Sequence, residues 1–234
     1  MNKKNSIAII PARGGSKRIP KKNVKDFFGK PLIAYSIEVA LESNLFDKVI
    51  VTTDDDEIAN IAESYGAQTL KRPKELADDF TPTIPVIAHA IKSICKDLSS
   101  IEAVCCIYAT APFVQAEYIK KAYEKLLTCK ADYSFSATSF AFPIQRAIKL
   151  KNESVEMFYP EHSNTRSQDL EEAYHDAGQF YWGTPEAWCE GKPIFSSNST
   201  VTILPRYLVQ DIDTLEDWKR AELMYRVLQN ESII

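Results

Sequence analysis

The side chains with the most chemical potential lie between Pro11 and Asn23. There the apolar run Ile7-Ala8-Ile9-Ile10 gives way to Ala12-Arg13-Gly14-Gly15-Ser16-Lys17-Arg18-Ile19-Pro20-Lys21-Lys22-Asn23. Adjacent glycines let the backbone turn its N–H groups toward an anion, and Arg13, Lys17, Arg18, Lys21 and Lys22 concentrate positive charge on the same loop. Such crowding directly after a buried strand is self-repulsive unless an anion joins it, and the chain as a whole carries a net charge of -4. An anion site is therefore expected here rather than a solvated basic surface. A nucleoside triphosphate is the expected ligand. The loop is not a P-loop, which needs glycine before its lysine and a hydroxyl after it, whereas Ser16 precedes Lys17 and Arg18 follows.

A second constellation is Asp211-Ile212-Asp213. In an extended segment residues two apart face the same way, with Cα atoms ~6.6 Å apart. Two carboxylates so placed can hold one hard divalent ion, or one each of a close pair. Mg²⁺ is commonly shared between carboxylates and phosphate oxygens, which ties this pair to the triphosphate expected at the loop. A purely structural use, with Asp213 helping to start the last helix, accounts for one carboxylate and not for its same-face partner.

These groups must be positioned by a chain of 234 residues, enough for one sizeable core, and a single domain over 1–234 is expected. A pI near 5.5 with local rather than spread basic charge argues against nucleic acid and anionic membranes as partners. The cysteines, Cys95, Cys105, Cys106, Cys129 and Cys189, lack C-x-x-C spacing and read as thiols of a reducing compartment. His89, His162 and His175 show no zinc-ligand spacing. The first apolar run stops too early for a signal peptide, and no stretch reaches the ~18 apolar residues of a membrane helix, so a cytoplasmic location is expected.

The first half alternates strand and helix signals. Ile33, Ile37 and Leu41 mark one helix, Val49-Ile50-Val51 a buried strand, and Ile58, Ile61, Ala62 and Tyr65 a second helix that Gly66 ends. A third helix carries Ile84 to Cys95, Ala103 to Tyr108 reads as a strand, and Ile119 to Leu127 as a fourth helix. This rhythm predicts an α/β, Rossmann-like fold, a mostly parallel sheet with helices on both faces, whose loops at 11–23, 52–55 and 108–112 meet at one crevice. From about 133 to 182 the rhythm changes, and an inserted arm is expected there. Tyr207 to Ile212 is expected as a strand, followed by a helix opened by a capping box at Thr214-Leu215-Glu216-Asp217.

The run Ile9-Ile10-Pro11-Ala12-Arg13-Gly14-Gly15-Ser16-Lys17 with Pro20, Lys22 and Asn23 resembles the opening of the cytidylyltransferases that activate nine-carbon, sialic-type sugar acids. Arg72-Pro73-x-Glu75-Leu76 and Asp211-x-Asp213 follow in that family's order. Phe142-Pro143-Ile144-Gln145-Arg146-Ala147, Arg166-Ser167-Gln168-Asp169-Leu170 and His175-Asp176-Ala177-Gly178-Gln179-Phe180-Tyr181-Trp182 are similar to the members that use pseudaminic acid. Tyr108 stands where the neuraminate enzymes commonly carry glutamine, and Gln145 where they commonly carry lysine.

The resemblance implies that CTP and a sugar acid react with Mg²⁺ to give a CMP-sugar and pyrophosphate. The acid implied is pseudaminic acid, with legionaminic or N-acetylneuraminic acid as alternatives. It also implies a homodimer whose arm, 133–182, serves dimerisation and sugar binding. Arg13, Ser16 and Lys17 would grip the triphosphate, with Ala12, Gly14, Gly15 and Thr83 beside it and Lys22, Asn23 and Arg72 near the cytosine. Asp211 and Asp213 would hold the metal; Arg13, Lys17 and Asp211 would be catalytic, the proton passing to Asp211 or to a hydroxide on the metal. Arg166 would hold the sugar carboxylate, a salt bridge to Asp169 or Glu171 being its competing use. Tyr108, Thr110, Gln145, Tyr174, His175, Gln179, Phe180 and Tyr181 would line the rest of the sugar. An inactive nucleotide-sensing protein is the rival from another class.

Overall fold

The computed structural model of the protein describes residues 5–234. In chain order the elements are β1 (Asn5–Pro11), β2 (Asp26–Phe27), β3 (Lys30–Pro31), α1 (Leu32–Glu42), β4 (Lys48–Thr53), α2 (Asp56–Ser64), β5 (Gln68–Lys71), α3 (Thr83–Ile94), β6 (Ile101–Ile107), α4 (Ala116–Cys129), β7 (Tyr133–Ser139), β8 (Ile148–Lys151), β9 (Ser154–Met157), β10 (Tyr174–Gly183), α5 (Pro185–Glu190), β11 (Ser199–Ile203) and α6 (Leu215–Asn230).

The apolar run of β1 is explained by burial on both faces. Ala8 and Ile10 pack into one apolar layer with α1, α2 and α4, while Ile7 and Ile9 pack into the other with α3 and α5. The central sheet has seven strands in the order β11-β7-β10-β6-β1-β4-β5. All neighbours are parallel except β10, which runs against both β6 and β7. The chain steps outward from β1 to β4 and β5, then returns through α3 to β6 on the other side of β1. That reversal leaves a crevice outside the carboxyl ends of β1 and β6, the usual ligand position in such sheets.

Two expectations are corrected. Residues 207–212 do not form a strand: Pro205 leads into a 3-10 turn at Arg206–Leu208, and Leu208 and Ile212 are buried against helices rather than paired in a ladder. The strand of this region is β11, parallel to β7. Likewise, β7 and β10 lie inside the stretch 133–182 expected as an arm, yet both are strands of the central sheet, because Tyr133, Phe135, Tyr181 and Trp182 fill its core. What leaves the sheet is 140–173, which contains the β8–β9 hairpin and exposes Phe142, Leu150, Val155 and Phe158.

Helix starts follow local chemistry. The Asp55 carboxylate accepts from the Glu57 and Ile58 N–H groups and caps α2. Thr214 and Asp217 form the expected capping box of α6. Among the described residues no helix is long and apolar enough to cross a membrane.

Candidate active site

The basic loop and the acidic pair are almost two hundred positions apart in the chain, and one apolar cluster joins them. Ile19, inside the loop, and Ile212, between the two aspartates, are both buried there with Phe27, Tyr35, Trp218 and Tyr225. Burying an isoleucine contributes about 1.5–3 kcal/mol, so the two anchors hold the polar groups around them without an ionic bond being required. The polar contacts follow: Arg18 lies 2.8 Å from the Asp213 carboxylate, and Lys22 reaches Asp213 at 3.3 Å and also donates to the Ile212 carbonyl.

Between these walls lies a cleft of about 670 Å³ at the carboxyl ends of β1 and β6. Arg13, Ser16, Lys17, Lys22, Asn23, Arg72 and Thr83, all expected at the nucleotide, line it. Arg13 and Lys17 are both ion-paired to Asp79, from the loop after β5. Asn23 donates to the Arg13 carbonyl at 3.0 Å and so holds the loop closed on itself. The buried Arg72 donates to the Thr52 carbonyl at 2.6 Å, while its Nε is buried without a protein partner. Burial pulls its pKa down to about 10, the Asp54 charge opposing this.

Two loop residues have their N–H groups engaged within the protein. The Ala12 N–H is taken by the Thr52 carbonyl, and the Gly14 N–H by the Asp54 carboxylate at 3.1 Å. A Cβ on Gly14 would sit 2.6 Å from Asp55 Oδ2, so glycine is required there for close packing against the cap of α2. Gly15 has nothing within 4 Å of a Cβ.

A second cavity of about 530 Å³ adjoins the first, and Tyr108 and Asp213 line both. His175 and Asp211 are on its walls, together with Asp176, Gly178, Arg206 and Arg220. The Asp211 carboxylate opens to solvent while protein crowds its flanks. Desolvation raises its pKa, the neighbouring Asp213 charge adds to the rise, and Lys22 opposes it. Among the described residues no group of three or more His, Cys, Asp or Glu side chains has metal-binding geometry. The donor set therefore fits a hard ion that draws its remaining ligands from a phosphate chain, held on the protein by Asp211 and Asp213.

Not every expected sugar residue reaches this cavity. Thr110 lines the first cleft instead. Gln145 donates to the Glu171 carbonyl and Tyr174 to the Glu172 carboxylate, both within the 140–174 region. Arg166 makes a two-point ion pair with Asp169, at 2.7 and 3.1 Å, outside both cavities. Two residues are corrected outright: Phe180 is fully buried in the apolar layer beneath the sheet, and Gln179 is buried and donates to the Leu208 carbonyl at 2.5 Å. Gln179 thereby fixes the 206–208 turn. Consecutive residues of β10 face opposite sides, so Gln179 and Phe180 could not both have faced the cavity.

Four wall residues escaped the sequence reading. Asp79 had a signal, an acidic dipeptide in the loop after Arg72-Pro73. Asp176 lies in the His175–Trp182 motif, which by itself assigns it no role, and Arg206 and Arg220 had nothing that distinguishes them from surface charges.

An open α/β sheet with a cationic loop at the end of its first strand, faced by paired carboxylates, is a nucleotidyltransferase arrangement, and residues 7–227 match the family model described as Cytidylyltransferase. The chain belongs to that family. It is 49% identical over 224 residues to pseudaminic acid cytidylyltransferase of Campylobacter jejuni, covering 95% of this chain and 97% of the relative. It is 32% identical to CMP-N,N'-diacetyllegionaminic acid synthase of Legionella pneumophila, covering 95% and 97%. In fold it is similar to CMP:2-keto-3-deoxy-manno-octonic acid synthetase solved with CTP, at a TM-score of 0.70 and 13% identity, covering 95% of this chain and 98% of that one.

Proposed function

We propose that this cytidylyltransferase moves CMP from CTP to the anomeric hydroxyl of a nine-carbon sugar acid, pseudaminic acid, and releases pyrophosphate. The observation that carries the reading is the pair of cavities sharing Tyr108 and Asp213. One is lined by the cationic loop, the other by the residues proposed to face the acceptor; Asp213 stands at their junction and Asp211 on the wall of the second. The identity to the Campylobacter jejuni relative supports the choice of acid.

In the reaction the anomeric oxygen bonds to the α-phosphorus as the bond from that phosphorus to the β-phosphoryl oxygen breaks. The chain's task is to align these atoms and to stabilise charge moving onto pyrophosphate. Arg13, Ser16 and Lys17 take the triphosphate, the first and last leaving Asp79 to do so. Lys22, Asn23 and Arg72, which line the cleft, meet the base. Mg²⁺, when bound, neutralises phosphate charge and acidifies the attacking hydroxyl. Asp211, on the wall of the second cavity and next to Asp213 at the junction, is placed to receive the hydroxyl proton.

The same proposal assigns a homodimer. The 140–173 excursion exposes Phe142, Leu150, Val155 and Phe158, apolar area that a second copy would cover. It also carries Gln145 and Arg166, which would then serve the neighbour's sugar cavity. A cytoplasmic setting is assigned with it, fitting five free thiols and a nucleotide substrate.

The test is a product-resolved assay with CTP, Mg²⁺ and pseudaminic, legionaminic and N-acetylneuraminic acids in parallel. CMP-pseudaminic acid is expected to form with the highest kcat/KM. Faster turnover of legionaminic acid would favour the second reading, which the Legionella pneumophila relative supports. CTP binding with no product from any acid would favour the inactive sensor.

A further inference from the structure

The pairing of β10 with β7 breaks its register between Asp176 and Tyr181. Asp176 opposes Ala137 and Tyr181 opposes Phe135, so five steps along β10 are matched by two along β7. Gly178, at φ 62°, sits in this bulge, in the left-handed region that glycine adopts without strain. In a regular strand residues five apart are ~16 Å apart and on opposite faces. Here the Tyr181 hydroxyl donates to Asp176 Oδ2 at 2.5 Å.

The result is a carboxylate set into the wall of the second cavity and fixed from behind. Tyr181 is 3% exposed and its ring lies 5.3 Å from that of Tyr108. The Tyr108 hydroxyl in turn meets Thr83 Oγ1 at 3.1 Å, on the nucleotide side. Asp176 is thus tied to the residue that borders both cavities. Its backbone carbonyl is also engaged, by His175 Nδ1 at 2.8 Å. One carboxylate oxygen is used by Tyr181, which leaves acceptor capacity for a ligand.

Asp176 shares this cavity with Asp211, Asp213 and Asp217, an unexpected set of walls for a pocket that takes an acid, because together they repel the substrate's own carboxylate. That repulsion selects an orientation. On the same cavity are the guanidinium groups of Arg206 and Arg220, and Arg206 Nη1 has only a long 3.5 Å contact to the Phe140 carbonyl in its hydrogen-bond geometry. The acid end of the sugar is drawn toward the guanidinium groups, and a neutral donor end is left for Asp176. Donors of that kind are the amide N–H groups and hydroxyls of an acylamido sugar.

Resting on the acceptor assignment made above, we propose that Asp176, oriented by Tyr181, is a specificity-determining residue that accepts a hydrogen bond from one amide N–H or hydroxyl of the sugar acid. Asp176 is half-buried, and a partly desolvated acceptor left without its donor still discriminates more than a merely packed wall does. Tyr181 is a positioning residue in this scheme, acting through Asp176.

The experiment compares wild type with Asp176→Asn and Tyr181→Phe on the parent sugar acid and on analogues that each lack one donor, by deoxygenation or N-methylation. CTP binding is measured separately by calorimetry. Wild type is expected to disfavour one analogue by roughly ten- to a hundred-fold in kcat/KM. Asp176→Asn, nearly the same size, should bring that one ratio toward unity with CTP affinity within about twofold, and Tyr181→Phe should fall between. An unchanged ratio in Asp176→Asn, an equal loss on every analogue, or a parallel loss of CTP binding each overturns the proposal. A wild type that binds CTP and converts no sugar acid sinks the acceptor assignment itself, a result distinct from these.

Discussion

The Asp79 carboxylate is ion-paired to the Arg13 guanidinium across the mouth of the larger cleft, and its second oxygen takes the Lys17 ammonium. An anion built into the protein thus engages the cations expected to bind phosphate, and these in turn hold the Asp79 pKa below the usual carboxylate range. Replacing Asp79 with Asn removes that competitor. The expected outcome is a CTP affinity higher by about two- to fivefold in low salt, narrowing as ionic strength rises. Titration of CTP binding at two salt concentrations checks it, and a weaker affinity in the variant would mean that Asp79 orders Arg13 and Lys17 rather than competing with substrate.

The two loop glycines should respond differently. In Gly14→Ala the new methyl meets Asp55 Oδ2 at 2.6 Å and Asp55 Cβ at 2.9 Å, so either the loop or the cap of α2 must move. Loss of a cap costs about 1 kcal/mol, and loop displacement should lower kcat/KM for CTP by roughly tenfold or more. Gly15→Ala, with open space around it, should stay close to wild type in both melting temperature and rate. Similar behaviour of the two variants would refute the packing account.

Acid stability offers a test away from the cleft. Asp132 joins the start of β7 to the segment before β11: it accepts from Lys192 at 2.9 Å and from Asn198 at 2.8 Å, and these partners lower its pKa, Lys192 first. A depressed folded-state pKa means stabilisation that is present above the ordinary carboxylate pKa near ~4 and is lost as pH falls through the lower folded value. Asp132→Asn should therefore cost about 1 kcal/mol near neutrality, solvent screening included, and nothing once both proteins are below that range. Chemical denaturation from pH 7 to pH 2.5 measures the gap, which should close on acidification.

Arg166 lies outside the cavities of its own chain, so its effect separates two assemblies. Arg166→Ala should raise the KM for the sugar acid well above that for CTP, and Asp211→Asn should abolish product. If the excursion serves a neighbouring copy, mixing and reassembling the two variants, assayed at a sugar-acid concentration far below the raised KM, should restore up to about a quarter of wild-type activity, through mixed dimers with one intact site. No recovery after verified subunit exchange would confine Arg166 to its own chain, paired with Asp169.

Where sequence and structure agree, the reason is burial. Ile7 to Ile10 and Val49 to Val51 are covered on both faces, and α1 to α4 pack one stripe each, so hydrophobic periodicity alone locates them. The basic loop and the aspartate pair stand out in the sequence by charge and spacing, although Asp211 to Asp213 is coil and not the extended strand from which a shared face was expected. What escaped depends on contacts distant in the chain. β11 is a short edge strand rich in Ser and Thr, and 207–212 has apolar spacing that suits a strand or a helix-packed coil equally. The bulge in β10 is invisible without its pairing partner, and with it the meeting of Asp176 and Tyr181. Phe180 was misassigned because an aromatic-rich motif says nothing about which face each ring takes.

The reversed direction of β10 has one more effect. Ser139 ends β7 and Tyr174 begins β10, and the two residues oppose each other in the sheet. The 140–173 stretch therefore departs and returns through a single gate, like a bead sliding on a closed noose whose knot stays put. Growth, shrinkage or wholesale exchange of that stretch leaves every ladder of the scaffold in register, and the cleft at the ends of β1 and β6 keeps its shape.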